Sequence, residues 1–254
     1  MIRTQGRGVV YGELWFDEEP GAPLPDILIC RQRPQPWPGA RCEEFVTLQL
    51  DMTQEEQQLF DAFGKDNRYK IRRANDKDAC VATFIDAPAA HLNAFCEFYD
   101  SFAVVRDLPP AHRSALQEAA ACGQLVLTHA QQADATLVWH AYIVSGDHAR
   151  LLHTASHFRS QNKQLQAVIG RLNRWLHWQD IREFKRRGMR IYDMGGIFSK
   201  NASSATVGVN RFKEEFGGIQ SRSYDCTVAL TWKGRIYLTL LTWRDRLQSP
   251  KTKI

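Results

Sequence analysis

Between Gly188 and Gly218 the chain reads GMRIYDMGGIFSKNASSATVGVNRFKEEFGG. An apolar run from Met189 to Met194, with Asp193 inside it, leads directly into Gly195-Gly196, a pair that permits a sharp turn or a close approach of backbone to a ligand. After a polar loop, the spacing of Val209, Phe212 and Phe216 predicts a short amphipathic helix over 207–216, stopped by Gly217-Gly218. Strand, glycine corner and helix together can floor a pocket. The same residues also fit a buried strand, a surface loop and a packing helix, with Asp193 capping a turn.

The rest of the chain supplies the frame for that unit. Strand-like pieces at 9–16 and 27–30 precede the proline-rich segment Pro34 to Pro38, which no regular sheet accommodates. Phe45 to Leu50 alternates as a strand, and Thr53 with Glu56 suggests a capping box for a helix running to about Ala74. A strand over 79–85 and helices over 88–105 and 111–122 follow. Three strands are expected at 124–130, 136–144 and 150–158, the last two joined by a turn at Gly146. The longest helix spans about 161–187, with Leu165, Ile169, Leu172 and Leu176 as its stripe and Gly188 as its stop. Two closing strands are predicted at 223–232 and 235–243, turning at Lys233-Gly234.

Composition narrows the classes. With 254 residues and 44% hydrophobic content the chain can bury a full core, and 33 basic against 28 acidic residues favour anionic ligands. The six cysteines lack metal-finger spacing and read as reduced thiols, which places the protein in the cytoplasm. No apolar run reaches membrane-spanning length and no signal-peptide core is visible, so membrane association, where it occurs, is peripheral. No metal site is expected. There is no GxSxG, P-loop or HExxH arrangement, which argues against hydrolase, kinase and metalloprotease chemistry.

The motifs Asn67-Arg-Tyr-Lys-Ile-Arg-Arg-Ala74, Tyr192-Asp-Met-Gly-Gly-Ile197 and Val209-Asn-Arg-Phe-Lys-Glu-Glu-Phe-Gly-Gly218 resemble, in that order along the chain, those of the FemAB-like branch of the GNAT acyltransferases. The branch includes the peptidoglycan-bridge aminoacyltransferases, and the resemblance covers roughly residues 45–237. It implies an α+β fold: a GNAT-like mixed, mostly antiparallel sheet flanked by helices, with an abbreviated N-terminal half. The expected organisation is an N-terminal extension over 1–44, an abbreviated first GNAT-like subdomain over 45–122, and a GNAT-like acyltransferase domain over 123–254.

Acyl transfer needs a proton acceptor, a polarised carbonyl and an anchor for the donor. His153 and Asp193 fall on strands that neighbour each other in this topology, so the carboxylate could orient the imidazole. Phe212-Lys213 matches an aromatic-lysine pair of the bridge enzymes, which implies Lys213 at the reacting carbonyl. These three, Asp193, His153 and Lys213, are the catalytic candidates. The N-terminus of the long helix, with Ser156, Arg159, Ser160 and Lys163, is the candidate donor anchor, although the Gln/Arg-x-x-Gly-x-Gly/Ala pattern of ordinary acetyl-CoA binders is absent. The resemblance implies acceptor contacts at Lys70, Arg72 and Arg73, suited to phosphates, and at Trp178, Tyr192 and Phe212.

The leading expectation is an enzyme that moves an acetyl-type acyl group from acyl-CoA to an amine or hydroxyl of a sugar or peptide precursor, nucleotide-linked or lipid-linked, in cell-surface polysaccharide or envelope biosynthesis. One alternative keeps the fold and takes an aminoacyl-tRNA donor, with salt-dependent tRNA binding. Another is a non-catalytic basic RNA-binding or scaffold protein, which would need its cations and aromatics on one surface.

Overall fold

The computed structural model describes residues 1–157, 162–197 and 204–248. Its chain divides into two compact units, residues 1–45 with 222–254 and residues 46–221. Both contain mixed, mostly antiparallel sheet, the α+β class expected from the sequence.

The first unit joins the two ends of the chain. It holds β1 (Ile2–Gly6), β2 (Val9–Trp15), β3 (Ile27–Arg33), the first part of β4 (Arg41–Asp51), most of β10 (Ile219–Ala229) and α7 (Trp232–Gln248). β1 and β2 pair antiparallel, β2 and β3 parallel, and β3 and β10 antiparallel. Leu14, Leu28, Cys30 and Cys226 form its small core.

Two expectations are corrected here. Cys42 and Cys226 form a disulfide across 184 residues of sequence; spacing could not reveal it, because strand order, not sequence distance, brings β4 beside β10. The other four cysteines are free. The predicted strand over 235–243 is helix α7. Its Ile, Tyr, Leu and Thr content suits a strand, but Gly234, Leu238 and Leu241 recur at helical spacing and form the inward side.

The second unit carries a sheet in the order β4, β9 (Ile191–Gly196), β8 (His148–Ser156), β7 (Ala135–Ser145), β6 (Leu125–Gln132), β5 (Cys80–Ile85). β5 pairs with β6, so the segments on either side of residue 122, expected as separate subdomains, share one sheet. Instead of one helix to Ala74, the chain forms α1 (Glu56–Ala62) and α2 (Lys65–Lys77), broken at Phe63-Gly64. The capping box is Glu55 with Gln58, while Thr53 bonds to Asp51.

One sheet face is covered by α3 (Leu92–Arg106), whose Phe95 and Tyr99 meet Trp139 and His153, with α4 (Arg113–Ala121) following it. The other face is covered by α5 (Lys163–Arg186), which buries the predicted stripe residues Ile169, Leu172 and Leu176. α6 (Ser204–Glu214) follows β9 as predicted. Its continuation ends at Gly217, whose φ of +71° and whose position against the Ala62 carbonyl leave no room for a side chain.

Candidate active site

β8 and β9 run parallel but pair through three residues only: His148 with Ile191, Ala149 with Tyr192 and Arg150 with Asp193. Beyond that point the strands part. β9 turns away at Gly195, where φ is +78° and a Cβ would meet the Leu151 carbonyl at 3.3 Å, while β8 stays with β7 to Ser156. The gap opens into a cavity of about 480 Å³ lined by Leu151, Thr154 and Ser156 of β8, Met194 of β9, and residues of α3, α5 and α6. Because α3 and α5 cover opposite faces, the cavity reaches through the sheet at the split.

The α5 wall holds the most reactive arrangement. His177 lines the cavity and is fully buried. Its Nδ1 lies 2.6 Å from the Tyr192 hydroxyl, Tyr192 lies 2.8 Å from the Tyr142 hydroxyl, and Tyr142 donates to Asp180 Oδ2 at 2.6 Å. That last bond consumes the only hydroxyl proton of Tyr142, so Tyr142 must accept from Tyr192. Tyr192 has then spent its own proton, and His177 Nδ1 must be the N–H donor. The other ring nitrogen, Nε2, is left with a lone pair, and it is buried with no hydrogen-bond partner among the described residues.

The far end of the relay is well anchored. Asp180 Oδ2 also accepts from Thr128 and lies 2.8 Å from His140 Nδ1, while His140 Nε2 contacts Asn173 Oδ1 at 2.8 Å. Burial first, then the charges of His140, Arg174 and Lys213, push the His177 pKa well below the usual imidazole value. Burial likewise raises both tyrosines well above theirs. At neutral pH His177 is therefore an uncharged base whose buried Nε2 keeps its lone pair.

Lys213 lines the same cavity and donates from Nζ to the Gly196 carbonyl at 2.7 Å. Burial, then the charge of Arg150, lowers its pKa to about 8, partly offset by Asp193. Phe212 sits beside it with the Arg174 guanidinium 4.7 Å over its ring, and Arg174 pairs with Glu215 at 2.8 Å. The predicted residues Ser156, Phe212 and Lys213 thus share one cavity.

The other predicted residues lie elsewhere. Asp193 is fully buried and does not line the cavity. Its Oδ1 accepts from the Gly195 N–H at 2.6 Å and its Oδ2 from Gln49 at 3.0 Å, so the carboxylate holds the glycine corner. His153 is on the neighbouring strand but packs against the Tyr99 ring, tilted, at 4.5 Å, and burial lowers its pKa to about 4. Tyr192 is inside the relay, and Trp178 packs between Phe60 and Phe63. Lys70 pairs with Asp66, Arg72 covers the Phe60 ring and Arg73 donates to Tyr69. These three cations lie on α2 and do not line the cavity. Lys163 begins α5 and is exposed. Arg159 and Ser160 lie outside the described residues.

Sequence reasoning placed His177 at most along an acceptor groove, with no part in proton transfer, and did not single out Asn173 or Arg174. The available signal was polar residues at 173, 174, 177 and 180 recurring along a helix whose stripe is otherwise apolar.

Among solved structures the chain is similar to FemX, with a TM-score of 0.58 at 12% identity over 77% of this chain and 63% of that one. It is also similar to the DUF2156 C-terminal domain named for a lysylphosphatidylglycerol synthetase of Agrobacterium fabrum, with a TM-score of 0.50 at 10% identity over 85% and 72%. The L-PGS of Bacillus licheniformis matches with a TM-score of 0.50 at 13% identity over the same shares. The chain thus spans less than two thirds of FemX. No protein-family model and no curated protein matches it. At these identities the likeness is one of fold: the chain has the FemAB-like GNAT fold.

Proposed function

We propose that this chain is an acyltransferase that carries an activated acyl group onto an amine or hydroxyl in the cavity at the β8/β9 split. The observation that carries this reading is the His177 imidazole, uncharged, backed by Tyr192, Tyr142 and Asp180, with its Nε2 unpartnered in the cavity wall. In the reaction, Nε2 takes the proton from the acceptor as its nitrogen or oxygen bonds to the acyl carbon. The charge gained by the ring is shared through the Nδ1–H bond to Tyr192. The Lys213 ammonium, held at the Gly196 carbonyl, faces the negative charge that develops on the carbonyl oxygen. The donor's leaving group then departs and the tetrahedral centre collapses to the new amide or ester.

The proposed donor is acyl-CoA and the proposed acceptor a sugar or peptide precursor of the cell envelope. An aminoacyl-tRNA donor is the second reading, supported by the similarity in fold to the domain named for lysylphosphatidylglycerol synthetase, by that name an enzyme that makes a lysyl lipid. The deciding experiment incubates the purified chain with acetyl-CoA, longer acyl-CoAs or charged tRNA, together with amino-sugar and peptide precursors, and follows donor consumption and product mass. Acyl transfer that His177→Gln abolishes is the expected result. If no donor binds or is consumed, the reading fails.

A further inference from the structure

Helix α7 has an outward face that the acyl-transfer reading does not use. Trp232, Ile236, Leu240 and Trp243 are 75%, 53%, 61% and 67% exposed. At helical spacing these four positions fall within about 80° of one another around the axis. They make one apolar stripe with a tryptophan at each end. The opposite side faces the first unit: Gly234 is buried, Leu238 and Leu241 are half-buried, and Tyr237 meets the Tyr11 ring edge-on at 6.1 Å.

The charge around the stripe has one sign. Lys233 and Arg244 border it on one side and Arg235 on the other, all three exposed, and no acidic residue occurs from Trp232 to Arg244. At the edge, Lys233 Nζ lies 3.9 Å from Asp26. A protein partner would have to match two tryptophans and cations on both borders. An anionic bilayer matches them by its layering: indoles suit the headgroup level, Ile and Leu the acyl boundary beneath, and Lys and Arg reach phosphates on either side. No described helix is long and apolar enough to cross a membrane.

We propose that the outer face of α7 docks the protein on anionic lipid, the helix lying in the plane of the interface. This holds whatever chemistry the cavity performs. Each cation near the surface adds attraction that salt screens, and the apolar stripe adds attraction that salt does not.

The test is cosedimentation of the full chain with vesicles of phosphatidylcholine alone and of phosphatidylcholine mixed with phosphatidylglycerol. Binding to the mixed vesicles is expected, at least about tenfold stronger than to the neutral ones and weakened by added salt. Trp232→Ser with Trp243→Ser should reduce it at least about tenfold, and Arg235→Gln with Arg244→Gln should remove the preference for anionic lipid. Circular dichroism confirms that the variants are folded. Absence of binding to the mixed vesicles overturns the proposal. So does a concentration-dependent dimer that the tryptophan substitutions dissolve, since a second copy would then cover the stripe.

Discussion

His177 Nδ1 and the Tyr192 hydroxyl are 2.6 Å apart, and that bond fixes Nε2 as the ring nitrogen that keeps its lone pair. Replacing His177 by Gln leaves a residue that can still bond to Tyr192 but cannot take a proton. Its turnover should fall by about 10²–10⁴-fold with donor binding little changed. Tyr192→Phe should strand His177 and Tyr142 together, costing about 1–3 kcal/mol of stability and a smaller part of the rate. Single-turnover kinetics beside denaturant titrations separate the two effects.

Lys213 should give the pH profile its alkaline side. With a pKa of about 8, its ammonium is present at neutral pH and lost above that value, so kcat should decline as pH rises past about 8. On the acid side, the His177 pKa lies well below 6.5, so the base stays competent into mildly acidic buffer. In Lys213→Met the alkaline decline should vanish, and the whole profile should be lower. Profiles of both proteins with a hydroxyl acceptor, which does not titrate in this range, check it.

His153 should register in stability. Its folded pKa of about 4 lies below the ordinary imidazole value of 6.5. Between those values the unfolded chain binds the proton and the folded chain does not, so stability is full above about pH 6.5 and falls as pH drops towards 4. The loss reaches about 2–3 kcal/mol. Urea titrations at pH 7.5 and 4.5 should show a larger drop for the natural chain than for His153→Gln.

Asp193 should behave as a positioning residue. Asp193→Ala strands the Gly195 N–H and the Gln49 amide in a buried place, which should cost about 2–3 kcal/mol and loosen the corner that carries the Gly196 carbonyl and Lys213. Asp193→Asn keeps one acceptor oxygen and should recover most of the stability. A hydroxyl-acceptor pH profile that keeps its shape in the Asn variant, with only its height reduced, distinguishes this role from direct proton transfer; loss of a titrating limb would contradict it.

Much of the second unit could be read from the chain because its signals are local. Gly146 turns β7 into β8, Gly188 ends α5, and the leucine stripe at 165–176 sets which face of α5 meets the sheet. The motif around Gly195-Gly196 lies at the corner where β9 leaves β8, and Phe212 and Lys213 line the cavity. What escaped is what strand register decides. His153 and Asp193 occupy adjacent strands, yet their side chains find Tyr99 and the Gly195 amide, not each other. The relay joins residues 142, 177, 180 and 192, which only the completed sheet and helix bring within bonding distance. α7 escaped for another reason: β-branched and aromatic residues masked the helical spacing of Gly234, Leu238 and Leu241, the positions that pack inward.

The bond between Cys42 and Cys226 makes everything between those positions a closed loop. A single proteolytic nick anywhere inside it would leave one connected molecule, which falls into separate pieces only when thiols are added. Gel mobility of a nicked sample, with and without reductant, would therefore report whether the tie is in place in any given preparation.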